Sequence, residues 1–335
     1  MASREQLRSI HYLRGIAALM VVAFHTFSYG MVQDYARDAA LWLKQGVAIF
    51  FVISGYVMVA SAQSKRMTPA AFFWRRFLRI APLYWLATIM LFAFGLRHAD
   101  DLPNLPWSLF FLPWFPPGSA SNAPPVLDVG WTLLIEMAFY AVFATSMFFP
   151  RKWAVPIAAA VLGIASTLQF MAPDNWLVAI YGHPRMLEFV CGMLLAHWRL
   201  RLPVIACPVG FAILMLVGSN ETPAYHWLCI SLPAVLIVGG ALGAEERLPR
   251  SIVLAALGDA SYAIYLFHYL IFHVAVVPLC GYPAPIGGVL PLALILSSIG
   301  GVIVHRTIER PLTERLMWGT AAATRRTRHA REIPA

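Results

Sequence analysis

The stretch RGIAALMVVAFH, residues 14–25, places a guanidinium at one end and an imidazole at the other end of an otherwise apolar run. On a helix, the step from Arg14 to His25 closes about 20° past three full turns. Both side chains therefore share one face, about 16 Å apart along the axis. Ionisable groups in hydrocarbon are costly unless they face protein or a watery cavity, so a span that served only as an anchor would carry neither. An imidazole titrates near neutrality; it can take a proton from a hydroxyl or attack an acyl carbon itself. A carboxylate beside such a ring orients it and makes it a better base, and Glu136 in WTLLIEMAFY is a carboxylate on a second apolar run. A third stretch, WRRFLRIAPLYW at residues 74–85, gathers Arg75, Arg76 and Arg79 among aromatic residues. That set suits a ligand carrying phosphates and a flat ring, and Arg14 can join it; ordinary positive-inside charge is the plainer account of the same arginines.

Composition says what must hold these groups in place. Of 335 residues, 60% are hydrophobic and 12% charged, against about 45–50% and about 25% in soluble domains. The excess runs along the whole chain, which marks an all-α polytopic membrane protein. A helical span needs about 20 mostly apolar residues. Ten segments qualify, at about 10–30, 43–62, 79–96, 131–149, 153–171, 184–198, 203–218, 226–244, 252–276 and 288–307. With the amino terminus inside, 21 of the 25 lysines and arginines fall on cytoplasmic segments, leaving Arg37, Lys44, Arg97 and Arg185 outside. This bias predicts ten helices with both termini cytoplasmic, in the cell's inner (plasma) membrane. It also accounts for the net charge of +9 without nucleic acid. Residues 1–318 read as one transmembrane domain. Residues 319–335, with RRTRHAR, read as a basic tail expected to be disordered and drawn to anionic lipid. The cysteines contain no CxxC pair and read as small core residues.

Depth follows from the topology. Glu136 falls about 8 Å below the outer surface on the fourth span, level with His25. Glu188 follows Arg185 in HPRMLEF on the sixth span, and His268 follows Tyr262 in SYAIYLFH on the ninth, about 24 Å from that span's inner end. These residues are expected to converge on one outer polar layer, with the arginines forming an inner one. Two plainer readings stand beside this: an Arg185–Glu188 pair one turn apart, and a buried His268 satisfied by a neighbour. Ser54, Gly46 and Gly55 in GVAIFFVISGYVM read as close helix packing before substrate contact. The loop at 97–130, with seven prolines and an apolar LFFLPWF run, reads as an interfacial segment; a lid over an outer cavity is the alternative.

Taken in order, LRGIAALMVVAFH, GVAIFFVISGYVM, FWRRFLRIAPLYW, WTLLIEMAFY, RMLEFVCGMLLA, SYAIYLFH and IERPL, spread over residues 13–312, resemble the acyltransferase-3 family of integral membrane acyltransferases. Its R-x10-H hallmark falls on Arg14 and His25. The chain is most similar to the exopolysaccharide-modifying members. The resemblance implies transfer of an acyl group, usually acetyl from acetyl-CoA, to a hydroxyl of a surface or lipid-linked glycan, with no metal. It implies that His25 is catalytic and Arg14 required. On this reading Glu136 is catalytic with His25, holding the imidazole tautomer or orienting the sugar, while Arg14, Arg75, Arg76 and Arg79 hold the donor and Arg185, Glu188, Tyr262 and His268 support substrate. The rival reading, a transporter or flippase of a glycan precursor, also explains intramembrane charge, but no internal repeat accompanies it.

Overall fold

A computed structural model describes residues 7–28, 40–64, 67–119, 121–172, 175–220, 222, 225–280 and 286–317. The expected basic tail and Arg37, Lys65 and Arg66 lie outside the described residues. The regular secondary structure of the described residues is helical, with an isolated antiparallel bridge between Trp114 and Ala123.

In chain order the helices are α1 (Arg8–Ser28), α2 (Gly46–Ser64), α3 (Pro69–Ala93), α4 (Leu105–Leu109), α5 (Gly130–Ser146), α6 (Arg151–Met171) and α7 (Trp176–Tyr181). There follow α8 (Met186–His197), α9 (Ala206–Val217), α10 (Leu232–Gly243), α11 (Ile252–Asp259), α12 (Ser261–Ile271), α13 (Val277–Cys280) and α14 (Ile286–Val304). Among the described residues six helical segments are long and apolar enough to cross a membrane. Four shorter apolar helices, Gly130–Ser146, Met186–His197, Ala206–Val217 and Trp227–Gly243, coincide with the remaining expected segments.

Two boundaries differ from the sequence reading, and both matter to the site. The third helix begins ten residues before the expected span, because Thr68 caps it by accepting the Ala71 N–H at 3.2 Å and Pro69 suits its first turn. Arg75, Arg76 and Arg79 therefore lie inside α3, not at its mouth. The expected ninth span breaks after Asp259. Ser261 Oγ donates to the Gly258 carbonyl at 2.9 Å, and α12 starts afresh at Ser261. The run Gly258-Asp259-Ala260-Ser261 marks that break, but the apolar residues on either side of it read as one span. His268 is consequently about 10 Å into its helix, not 24 Å.

α1 sits at the centre. It packs against α2, α10, α11, α12 and α14, and protein buries 67% of its apolar window against 22% for the last helix. Its amino-terminal end is anchored by Glu245, which accepts from the Arg8 N–H, the Ser9 N–H and the Ser9 hydroxyl at 2.9, 2.9 and 2.6 Å. Partial burial acts to raise the Glu245 carboxyl, but these hydrogen bonds and the Arg8 charge together hold it below its ordinary range.

The described residues of the 97–130 loop are folded. Arg97 donates to the Val126 carbonyl at 2.7 Å and pairs with Asp128 at 3.0 Å, Asn104 donates to the Pro124 carbonyl at 2.7 Å, and Trp85 of α3 donates to the Leu109 carbonyl at 2.7 Å. With the start of α5 and the end of α7 this loop borders a cavity of about 370 Å³ lined by Trp131, His183 and Asn122 among others.

The tightest crossing is that of α2 with α8. A Cβ on Gly192 would stand 1.9 Å from the Val52 carbonyl oxygen, and one on Gly55 would stand 2.1 Å from that of Phe189. Gly192→Ala should therefore destabilise the protein by about 1–3 kcal/mol through overpacking. Gly163 of α6 has nothing within 4 Å of its Cβ position, so Gly163→Ala should be neutral or stabilising. Thermal unfolding in detergent checks both, and an unchanged melting temperature for Gly192→Ala would contradict the close crossing.

Candidate active site

α1, α2, α3, α5 and α12 enclose a cavity of about 110 Å³ whose polar lining is Arg14, Ser54, Arg76, Arg79, Thr132, Glu136, Tyr140, Tyr262 and Tyr265. Arg76 and Arg79 are three apart and so share a face of α3. Arg76 is held by donating to Ser61 Oγ at 2.9 Å and by lying 5.8 Å from the centre of the Phe72 ring. Arg75 does not line this cavity; its guanidinium lies 3.6 Å from the Met67 sulfur. One residue of helix rotation, about 100°, separates it from Arg76, and this removes it from the expected cluster.

Glu136 occupies the same cavity as the arginines. Its Oε1 accepts from Ser54 Oγ at 2.8 Å and from the Tyr140 hydroxyl one turn along α5. The sequence reading had placed Glu136 in an outer layer beside His25 and the arginines in an inner one. The structure instead puts carboxylate and guanidinium groups on the walls of one space. Ser54, read as a packing residue, is the carboxylate's partner.

His25 is paired with His268 of α12. The His268 Nε2 atom lies 2.9 Å from His25 Nδ1, with ring centres 4.9 Å apart and planes inclined by 22°. His268 Nδ1 lies 2.7 Å from the Tyr265 carbonyl oxygen, and His268 is 1% exposed. Tyr265 links the pair to the cavity. Its side chain lines that space, where its hydroxyl shares a 2.7 Å hydrogen bond with Thr132 Oγ1 and donates to the Val129 carbonyl at 3.1 Å. Tyr262, a turn earlier, also lines the cavity and donates to the Ile80 carbonyl of α3 at 2.8 Å. The spacing of Tyr262, Tyr265 and His268, each three from the next, was a legible stripe on one helix face. Tyr140 was legible in the same way, four residues after Glu136.

Arg185 and Glu188 form a separate buried cluster. Their side chains approach to 3.9 Å, Glu188 Oε1 lies 2.9 Å from His226 Nε2, and Arg185 donates to Gln45 Oε1 at 3.1 Å. Arg185 also lies 5.6 Å from the centre of the Trp131 ring. This cluster ties the starts of α2, α5 and α8 together. Sequence carried no signal for His226, 38 residues from Glu188. The four expected outer groups thus resolve into three places.

Comparison with known proteins bears on what this arrangement does. A family model described as an acyltransferase domain matches residues 7–305. The chain is 37% identical to the exopolysaccharide production protein ExoZ of Rhizobium meliloti (strain 1021), over 81% of this chain and 89% of that one. It is 29% identical to the acyltransferase MdmB of Streptomyces mycarofaciens, over 91% of each. It is 23% identical to the O-acetyltransferase OatA of Staphylococcus aureus (strain NCTC 8325 / PS 47), over 93% of this chain and 59% of that one. No solved structure matches. These likenesses set the transporter reading aside, and the chain belongs to the acyltransferase-3 family of membrane-bound O-acyltransferases.

Proposed function

We propose that this enzyme moves an acetyl group from cytoplasmic acetyl-CoA to a hydroxyl of an exopolysaccharide or lipid-linked oligosaccharide, with His25 carrying the chemistry. The observation that carries this reading is Tyr265 of α12, whose side chain lines the cavity bearing three guanidinium groups and whose carbonyl accepts from His268, the partner of His25. Arg14, Arg76 and Arg79 offer charge-assisted contacts to the donor's phosphates. The narrow cavity beyond them suits a thin chain such as the pantetheine arm. His25 takes the proton of the sugar hydroxyl as its oxygen attacks the thioester carbonyl, and the proton passes to the departing thiolate as the C–S bond breaks. A route through an acyl-histidine uses the same ring as nucleophile. Glu136, bonded to Ser54 and Tyr140, supports the donor side of this reading.

Ten spans with both termini cytoplasmic, in the inner membrane, complete the proposal. The distribution of lysine and arginine supports it, as do six long and four shorter apolar helices on the ten expected segments. Cysteine labelling at residue 200 should report cytoplasm, and at residue 119 the outer side; the reverse at either position would refute this topology.

Purified protein in lipid nanodiscs should transfer label from acetyl-CoA to a glycan extract. His25→Ala should insert normally yet lose about 10²–10⁴-fold in rate, the share of a general base, or more for a nucleophile. Near-normal acylation by that variant would remove His25 from the chemistry.

The three neighbouring arginines should separate. Arg76→Ala or Arg79→Ala should raise the acetyl-CoA KM at least about tenfold, the equivalent of one charged hydrogen bond at about 1.5–3 kcal/mol. Arg75→Ala should leave that KM unchanged. Equal effects of all three would show that the cavity does not select the donor.

A further inference from the structure

The hydrogen bond between the two histidines has a direction, and the backbone sets it. A carbonyl oxygen only accepts, so His268 Nδ1, 2.7 Å from the Tyr265 carbonyl, carries that ring's proton. A neutral imidazole has one N–H, which makes His268 Nε2 an acceptor. The atom 2.9 Å from it is His25 Nδ1, which must therefore donate. With both rings neutral, the proton of His25 stands on Nδ1 and its lone pair on Nε2.

We propose that His268 is the positioning residue of the acyl transfer: it holds His25 in the Nδ1–H tautomer and so makes Nε2 the reacting atom. The inference rests on His25 being the catalytic group and adds which nitrogen acts and what selects it. In the general-base route, the acceptor O–H bond breaks and its proton goes to His25 Nε2, while the oxygen forms its bond to the acyl carbon. The resulting imidazolium keeps its Nδ1–H on the neutral His268, so its charge is stabilised without movement of the ring. As the C–S bond breaks, Nε2 returns that proton to the sulfur. The acyl-histidine route needs the same lone pair on the same atom. In both, a ring held in the opposite tautomer presents an N–H and does nothing.

The surroundings suit this task. His268 is 1% exposed and lies on a helix packed against α1, so solvent does not compete for its Nε2. Its other nitrogen is committed to a main-chain oxygen three residues back, which cannot rotate away as a side chain can. The role parallels the fixed tautomer of metal-bound and triad histidines, in which a partner on one ring nitrogen decides what the other can do.

Two substitutions separate positioning from packing. His268→Leu fills the space without an acceptor, whereas His268→Gln can present its Oε1 near the position of Nε2 and accept from His25. In nanodiscs, His268→Leu should lower kcat at least about tenfold, part of the ~10²–10⁴ that a general base supplies, with the acetyl-CoA KM unchanged. His268→Gln should restore most of the loss. A merely structural histidine would lower folded yield and melting temperature with both variants and would not distinguish them in kcat. Wild-type kcat in His268→Leu overturns the proposal, as does a folded His268→Gln no better than His268→Leu. If His268→Leu fails to fold, 15N spectra of histidine-labelled wild-type protein decide: the proposal requires protonated Nδ1 and bare Nε2 on His25, and the opposite tautomer overturns it. His25→Ala in parallel tells the two failures apart. If that variant stays active, the catalytic reading of His25 falls; if it is inactive while His268→Leu is fully active, only the tautomer role falls.

Discussion

A polar group carried into an apolar bundle must be met by another polar group or open onto a cavity, and this fold is organised around that constraint. His25 is met by His268, Glu136 by Ser54 and Tyr140, and Glu188 by His226 and Arg185. His25–His268, Glu136–Ser54 and Glu188–His226 each join segments distant in sequence, so satisfying these groups also fixes which segments adjoin. The apolar contacts then follow: Phe51 of α2 and Phe139 of α5 both stack on Phe189 of α8, with ring centres 4.4 and 4.2 Å away.

The central place of α1 is the second consequence. A helix bearing an arginine and a histidine on one face cannot present that face to lipid. Enclosed by α2, α10, α11, α12 and α14, it turns Arg14 into the cavity and His25 onto α12. Small residues allow the enclosure. The Gly15 Cα faces Leu257 and that of Gly258 faces the His11 carbonyl, with room for no side chain at either. α1 and α11 can then approach closely, as helices in membranes do where packing replaces the hydrophobic effect.

Tyr265 gives the enzyme its economy of parts. One residue lends its side chain to the cavity and its carbonyl to the tautomer of the histidine pair. The cavity and the His25–His268 pair are therefore held in register by about a turn of α12, a rigid spacer.

What the sequence determined by itself is what depends on local composition and period. Apolar length marks the membrane segments, Arg14 and His25 share a face because 11 residues nearly complete three turns, and the ordered motifs mark the family. Arg76 and Arg79 could be paired by the same arithmetic. What only the tertiary structure decided is partnership and depth. Glu136 and His25 lie at similar depth on paper, but helix rotation aims them at different neighbours, and rotation about an axis is set by packing on every side. The break at Gly258–Ser261 is marked only by a four-residue GDAS run inside an apolar stretch, yet it moves His268 within its helix. The hydrogen bond from His25 to His268 spans 243 residues of chain, and no local rule reaches across that distance.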